Sequence, residues 1–98
     1  MREPKTFSVA FERSATRELE AFEPATARTI LLEIQQRLTG EPFRELKTRI
    51  KRLTGLSPPL YRLRVGDYRV YYRIRERQVV ILAVLHKKDS DRWLRRQA

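Results

Sequence analysis

The chain has 98 residues, enough for a single domain (1–98) with a modest core but not for two. It contains no cysteine and only one histidine, which excludes disulfides, thiolate metal sites and histidine-rich metal clusters, so neither a metal nor another cofactor is expected. No apolar run approaches the roughly 20 residues of a membrane span. The N-terminus is also too polar for a secretory signal, and we therefore expect a cytoplasmic protein without a membrane partner.

Positive charge is concentrated in the second half of the chain. Residues 1–49 carry nine basic and eight acidic side chains, whereas residues 50–98 carry thirteen basic and four acidic ones, within a total net charge of +10. A chain with its positive charge gathered in one half usually meets a polyanion. The charge pattern therefore favours nucleic acid or an acidic protein as partner over a merely solvated basic surface.

The first half of the chain predicts one strand followed by two helices. Residues 5–12 alternate apolar and polar side chains, as a half-buried strand does. Ser14 is a candidate N-cap for a short first helix, and Pro24 suits the first turn of a second helix that Gly40 ends. The apolar stripe of the second helix consists of Ala27, Ile30, Leu31, Ile34 and Leu38.

The following segment, PFRELKTRIKRLTG (42–55), spaces its apolar residues as a helix would, and Gly55 with Pro58-Pro59 ends it. After it the pattern predicts three strands and a short basic helix, at 60–65, 68–75, 79–85 and 89–97. The run 79–85 is apolar on both faces, which indicates an interior strand with the first strand as its neighbour. The predicted fold is α+β, in the order β-α-α-β-β-β. It is a four-stranded antiparallel or mixed sheet with two helices on one face and a short C-terminal helix.

The stretch YRLRVGDYRVYYR (61–73) predicts a hairpin that turns at Gly66-Asp67. A two-residue loop places Arg64 opposite Arg69, although like charges in that position are destabilising. The apolar residues of both strands then face the helices, and the other face receives Arg62, Arg64, Arg69, Tyr71 and Arg73. The same alternation, carried through the next turn, predicts that His86 lies on this arginine face.

Clustered guanidinium groups repel one another until an anion arrives, and their forked geometry suits phosphate oxygens. The structural alternative is that the arginine stems only cover apolar sheet surface. Arginine cannot act as a base at neutral pH, whereas a histidine such as His86 can transfer protons there. Metal-free RNA cleavage needs cations around the phosphorus and proton transfer at the 2′-hydroxyl and the leaving 5′-oxygen. The arginine face with His86 offers these groups, although a lone histidine is more often structural.

Three segments, KRLTGL (51–56), YRLRVGDYRVYYRI (61–74) and VVILAVLHKK (79–88), resemble the RelE/ParE toxin superfamily of bacterial and archaeal toxin–antitoxin systems. The resemblance covers nearly the whole chain and implies the same β-α-α-β-β-β order. It implies a toxin that is held inactive by a cognate antitoxin. In the RelE branch the toxin enters the ribosomal A site and cleaves mRNA, whereas the ParE branch acts on DNA gyrase and lacks the nuclease residues.

Carried over by position, the resemblance implies catalytic roles for Arg62, Arg64, Arg69, His86 and Lys87, with Lys88 as an alternative to Lys87. The chain departs from the family by having arginines where RelE has lysines. It also lacks the C-terminal tyrosine of many members, near whose position Trp93 lies. Some relatives use a glutamate ahead of the hairpin, and the nearest one here is Glu45.

Nucleic-acid contacts are predicted for residues around these positions, with ribosomal (16S) RNA phosphates and the mRNA as ligands. They are Lys47, Lys51, Arg52, Tyr71, Arg73, Lys88, Arg92 and Trp93. For the basic residues the alternative is a solvated surface, and the antitoxin is a rival partner for Arg92 and its neighbours. The resulting hypothesis is a ribosome-dependent mRNA endonuclease that cleaves by 2′-hydroxyl attack without a metal. A gyrase poison, or an inactive toxin-like protein that acts through antitoxin binding, stays open as an alternative.

Overall fold

A computed structural model describes residues 6–45 and 49–97. They form five strands and three helices, which confirms the predicted α+β class, although the sheet has five strands and not four. In chain order these elements are β1 (Ser8–Phe11), α1 (Arg13–Ala21), α2 (Pro24–Leu38), β2 (Ile50–Leu53), β3 (Leu60–Val65), β4 (Tyr68–Arg75), β5 (Gln78–His86) and α3 (Lys87–Gln97). No helix within the described ranges is long and apolar enough to cross a membrane.

The strands form one mixed sheet in the order β1-β5-β4-β3-β2. β1 runs parallel to β5, and every other neighbouring pair is antiparallel. β5 therefore lies inside the sheet with β1 as its outer neighbour, as its apolar sequence predicts. The hairpin of β3 and β4 has the predicted register, because Arg64 pairs with Arg69 and Val65 pairs with Tyr68 across the two-residue turn.

The fifth strand is β2, and it replaces part of the helix predicted over 42–55. Ile50 and Leu53 are spaced three apart, which fits one face of a helix, but Ile50 instead pairs with Leu63 at the free edge of β3. Ile50 joins the core on one side of the sheet, and Leu53 packs on the other side. Pairing with an open strand edge thus overrides the helical spacing. Residues 46–48 of the predicted helix lie outside the described residues.

The predicted N-cap Ser14 is also wrong. Helix α1 begins at Arg13 with Glu12 as its N-cap, and the Ser14 hydroxyl donates instead to the carbonyl oxygen of Leu82 at 3.0 Å. Helix α2 begins at Pro24, as predicted, and ends at Leu38. The C-terminal helix begins at Lys87, two residues earlier than the sequence pattern indicates.

The sheet has two covered faces. On the face packed against α1 and α2, the core contains Leu63, Val70 and Tyr72 of the hairpin, as predicted. The Tyr72 hydroxyl donates to the carbonyl oxygen of Pro42 at 2.6 Å, and burial raises the pKa of Tyr72 far above its usual range. The opposite face, called the α3 face below, has a smaller cluster around Leu60, Tyr71 and Ala83, against which α3 packs Trp93 and Leu94.

A bulge interrupts the alternation of β5. Tyr72 pairs with Ile81 and Tyr71 pairs with Ala83, so that Leu82 has no residue opposite it. The extra residue turns everything after it to the other face. Val84, which the sequence pattern assigns to the arginine face together with Val80 and Leu82, therefore lies in the core beneath α1 and α2. Its backbone N–H donates to Oε1 of Glu18 on α1 at 2.7 Å.

Candidate nucleic-acid interface

Three arginines meet on the α3 face of the hairpin, and they are called the arginine cluster: Arg62, Arg64 and Arg69. Arg64 and Arg69 are direct cross-strand partners, and Arg62 lies two residues from Arg64 on the same strand face. Burial lowers the pKa of Arg69, and the charges of Arg64 and Arg62 lower it further. The predicted gathering of guanidinium groups on one face is thus confirmed. Such a cluster gains free energy when an anion neutralises it.

The turn holds the cluster in position. Gly66 has a φ of 57°, a conformation that suits glycine, and the tight turn presents backbone carbonyls to the neighbouring strand. Nη1 of Arg69 donates to the carbonyl oxygens of Gly66 at 2.8 Å and Tyr68 at 2.9 Å. Nε of Arg62 is buried without a hydrogen-bond acceptor among the described residues, and Arg64 is exposed. Arg69 is therefore oriented by the protein, while the exposed guanidinium group of Arg64 has donors to offer to a ligand.

Strand β2 divides the basic residues of the 42–55 segment between the two faces. Lys51 pairs with Arg62, so it is exposed beside the arginine cluster. Arg52 pairs with Tyr61 and therefore points to the opposite face, and its backbone N–H donates to the Glu45 carboxylate at 3.1 Å. Lys47 lies outside the described residues. Of these basic residues, Lys51 extends the cluster.

His86 does not share the arginine face, and this part of the sequence prediction is wrong. It pairs with Tyr68, and the two rings pack edge to face with centroids 5.3 Å apart. Tyr68 in turn packs against Phe22 at 5.1 Å, which locates His86 on the side of α1 and α2. The β5 bulge is the cause, because one extra residue before His86 reverses its direction. The catalytic role of His86 stays a prediction.

His86 instead caps α3. It immediately precedes the first helical residue, Lys87, and its Nδ1 accepts the backbone N–H of Lys88 at 3.2 Å. An acceptor in this position satisfies one of the N–H groups that the first turn of a helix leaves unpaired. Because Nδ1 accepts a hydrogen bond, the neutral ring carries its proton on Nε2.

The two lysines after His86 differ in their surroundings. Nζ of Lys87 lies 3.4 Å from the Asp67 carboxylate, and its backbone N–H donates to the Asp67 carbonyl oxygen at 2.7 Å. Asp67 belongs to the hairpin turn and also raises the pKa of Arg69 electrostatically. Lys87 is thus tied to the turn beside the arginine cluster, whereas the side chain of Lys88 is exposed.

Helix α3 covers the middle of the α3 face. Tyr71 is fully buried and stacks against Trp93, with ring centroids 4.8 Å apart. Tyr71 therefore has no free ring face for a base while Trp93 covers it. Arg92 on the exposed side of α3 pairs with Asp89 at 3.0 Å, and Arg73 is half-buried at the far end of the same sheet face.

A family model described as the ParE toxin of the type II toxin–antitoxin system parDE matches residues 9–90. The chain belongs to the RelE/ParE toxin superfamily. Two solved structures agree, each with a TM-score of 0.68. The RelBE2 toxin–antitoxin complex of Mycobacterium tuberculosis is 31% identical over 83% of this chain and 98% of the matched chain. The archaeal RelE–RelB complex of Pyrococcus horikoshii is 29% identical over 84% and 96%. A comparison with curated protein sequences gave no match.

Two acidic residues of this toxin contribute to the basic face although the sequence pattern gave them no functional role. Asp67 lies between Lys87 and Arg69, and Glu12 lines a pocket with Arg73. The signal for Asp67 was its place in the turn between two basic strands, whereas nothing near Glu12 in the sequence indicates Arg73. Within the described ranges, no three His, Asp or Glu side chains are grouped to hold a metal ion.

Proposed function

We propose that this toxin is a ribosome-dependent mRNA endonuclease whose arginine cluster binds the scissile phosphate. The observation that carries the proposal is the meeting of Arg62, Arg64 and Arg69 on one face of the hairpin. None of the three forms an ion pair with a described residue, so their charge is available to a ligand. If the arginines served only to cover apolar sheet surface, placing Arg64 directly across from Arg69 would destabilise the hairpin without any benefit.

In the proposed reaction the 2′-hydroxyl attacks the adjacent phosphorus and gives its proton to solvent water, which afterwards restores the proton that Lys87 donates. A P–O2′ bond forms and the P–O5′ bond breaks, which leaves a 2′,3′-cyclic phosphate and a free 5′-hydroxyl. The arginine cluster neutralises the charge that builds up on the phosphate oxygens, and Arg69 is oriented for this in advance. The Lys87 ammonium, held near the turn by Asp67, donates a proton to the leaving 5′-oxygen.

His86 enters the proposal as a positioning residue. It caps the helix that begins at Lys87 and packs on the sheet face opposite the arginine cluster. The original hypothesis that it transfers a proton remains testable, because the two roles differ in what His86→Asn does: asparagine retains the cap but not the proton transfer.

The ribosome and an antitoxin are the proposed partners. Lys51, Lys88 and Arg92 are exposed and supply charge for 16S RNA phosphates, which gives affinity without sequence preference. The solved structures that this toxin resembles are toxin–antitoxin complexes, which supports a cognate antitoxin as its inhibitor. A partner with acidic segments would match the charge of +10.

The decisive experiment is primer extension on mRNA after expression of wild-type, Arg69→Ala, Lys87→Ala and the matched control Arg28→Ala. Arg28 is an exposed arginine of α2, outside the arginine cluster. We expect translation-dependent cuts with wild type and the control, and about 100-fold weaker cutting with Arg69→Ala, since an oriented cation is lost from the transition state. If wild type gives no cuts that depend on translation, the nuclease proposal is wrong.

A gyrase poison without nuclease activity is the second candidate. The matching family model is that of ParE toxins, and the imidazole lies apart from the arginine cluster. This candidate predicts cleaved DNA–gyrase complexes and loss of supercoiling while translation continues. Assaying both supercoiling and protein synthesis in the same cultures separates the two functions.

A further inference from the structure

A pocket that is separate from the arginine cluster lies on the α3 face. Trp93 stands between the two. Arg69, Tyr71 and Arg73 alternate along β4 on this face, and Trp93 stacks on the middle one. The pocket encloses about 420 Å³, and its lining includes Glu12, Pro58, Arg73, Arg75, Val80 and Leu82. It is thus built from four separate parts of the chain and has both apolar and charged walls.

Among the residues that the structure describes, the charged groups of this pocket have no ion-pair partner. Nε of Arg73 is buried without an acceptor among the described residues, and Arg73 forms no ion pair there. Glu12 is the N-cap residue of α1, yet its carboxylate makes no capping hydrogen bond. Buried donors are nearly always paired in folded proteins, so the unpaired Nε shows that the protein itself does not satisfy the hydrogen-bonding capacity of Arg73.

The apolar part of the pocket consists of Pro58, Val80 and Leu82. Val80 pairs with Arg73 across β4 and β5, and Leu82 is the bulged residue. A pocket with apolar walls, two guanidinium groups and a carboxylate suits a planar heterocycle that has both hydrogen-bond donors and acceptors on its edges. Nucleobases are such molecules, and unpaired bases of single-stranded RNA are recognised in this way.

We propose that this pocket binds a guanine base of the RNA strand whose phosphate lies on the arginine cluster. The proposal deepens and rests on the proposed nuclease function. Arg69 and Arg73 are four residues apart on one strand, a Cα separation of about 13 Å. The base therefore belongs to a nucleotide close to, but not at, the scissile phosphate.

Guanine fits the combination of a carboxylate with a guanidinium group better than the other bases do. Its N1–H and N2 amino group form a pair of donors that matches one carboxylate, and its O6 and N7 form a pair of acceptors that matches one guanidinium. Adenine and cytosine each offer a single amino group to Glu12, and uracil offers no amino group. The expected order of affinity is therefore guanine first, adenine and cytosine next, and uracil last.

The test is an NMR titration of the isolated, isotope-labelled toxin with guanosine, adenosine, cytidine and uridine. Nucleosides lack phosphate, so the arginine cluster does not contribute to their binding. We expect guanosine to shift the backbone amides of Val80 and Leu82. Glu12→Gln should reduce the preference for guanosine over uridine about tenfold, and Arg73→Met should weaken the binding of every nucleoside.

The matched controls are Glu20→Gln and Arg28→Met, which replace exposed residues of α1 and α2 with the same chemistry. Guanosine binding in both controls should equal that of wild type. Equal affinity for all four nucleosides, or a preference that survives Glu12→Gln in a folded protein, overturns the proposal. Because the titration contains no ribosome, its failure is distinct from an absence of translation-dependent mRNA cuts.

Discussion

Arg64 and Arg69 lie directly opposite each other on β3 and β4, and the charge of Arg64 lowers the pKa of Arg69. Repulsion of this kind opposes folding, because the unfolded chain separates the two charges. An arginine pair retained against this cost is best explained by a bound anion, which attracts both guanidinium groups and turns the net repulsion into a net attraction. At the scale of single residues, the site and the stability of the hairpin are therefore in conflict.

The conflict predicts that Arg64→Thr stabilises the free toxin. Threonine favours strands and removes one of two opposed charges, so the free energy of unfolding should rise by about 0.5 kcal/mol in low salt. Urea denaturation measures this difference, and 1 M salt should reduce it by screening. Arg75→Thr is the control, since Arg75 pairs with the uncharged Gln78. A stability gain of the same size in the control would show that threonine propensity alone is responsible.

Glu18 is a second residue whose surroundings set its charge. Burial raises its pKa above the ordinary 4.5, and the hydrogen bond from the Val84 N–H opposes this rise. The folded state therefore favours the protonated acid. The stability that Glu18 contributes is fully present below the unfolded-state pKa and is lost as pH rises through the folded-state pKa.

We expect Glu18→Gln to become more stable relative to wild type as pH rises from 4 to 7, since glutamine retains an acceptor but never ionises. Glu18→Ala should lose about 1–3 kcal/mol, because it leaves the Val84 N–H without its partner. Thermal unfolding across this pH range checks both. Glu20→Gln, at an exposed position on the same helix, should show no such trend.

At the scale of elements, alternation predicted the β3–β4 hairpin residue by residue because its apolar and basic positions differ sharply in character. The same rule failed in β5, where Leu82, Ala83 and Val84 are all apolar and no glycine marks the bulge. His86 was assigned to the wrong face for this reason. In β2 the three-residue spacing of Ile50 and Leu53 fits a helix, and only the open edge of β3 selects a strand.

The N-terminus of α3 allows a prediction about the stability of this helix. His86 caps this helix, so His86→Ala should cost about 1 kcal/mol and reduce hydrogen-exchange protection in α3, while His86→Asn should retain both. If His86 only positions Lys87, mRNA cutting by His86→Asn stays within a few-fold of wild type. A loss of about 100-fold with the cap intact would instead assign proton transfer to the imidazole.

At the scale of the whole molecule, the sheet separates an apolar face, covered by α1 and α2, from a basic face that α3 covers only in part. The net charge of the second half of the chain predicted a polyanion partner, but only the register decides which charges act together. Lys51 and Arg52 are adjacent in sequence and lie on opposite faces. Replacing Lys51 and Arg52 one at a time therefore tests whether RNA binding depends on the face that carries a charge and not on the total charge.

RNA binding should depend on salt through the cations of one face. If Lys51 neutralises one phosphate and the arginine cluster neutralises the scissile phosphate, the logarithm of affinity for single-stranded RNA falls with the logarithm of salt concentration with a slope of about −1.4. Lys51→Gln should reduce the magnitude of this slope by about 0.7 and leave its base preference unchanged, because a phosphate contact carries no sequence information. Fluorescence anisotropy with a labelled oligoribonucleotide between 50 and 300 mM salt measures the slope. Arg52→Gln is the matched control on the opposite face, and an equal change in both variants would mean that the toxin binds RNA by its total charge and not by this face.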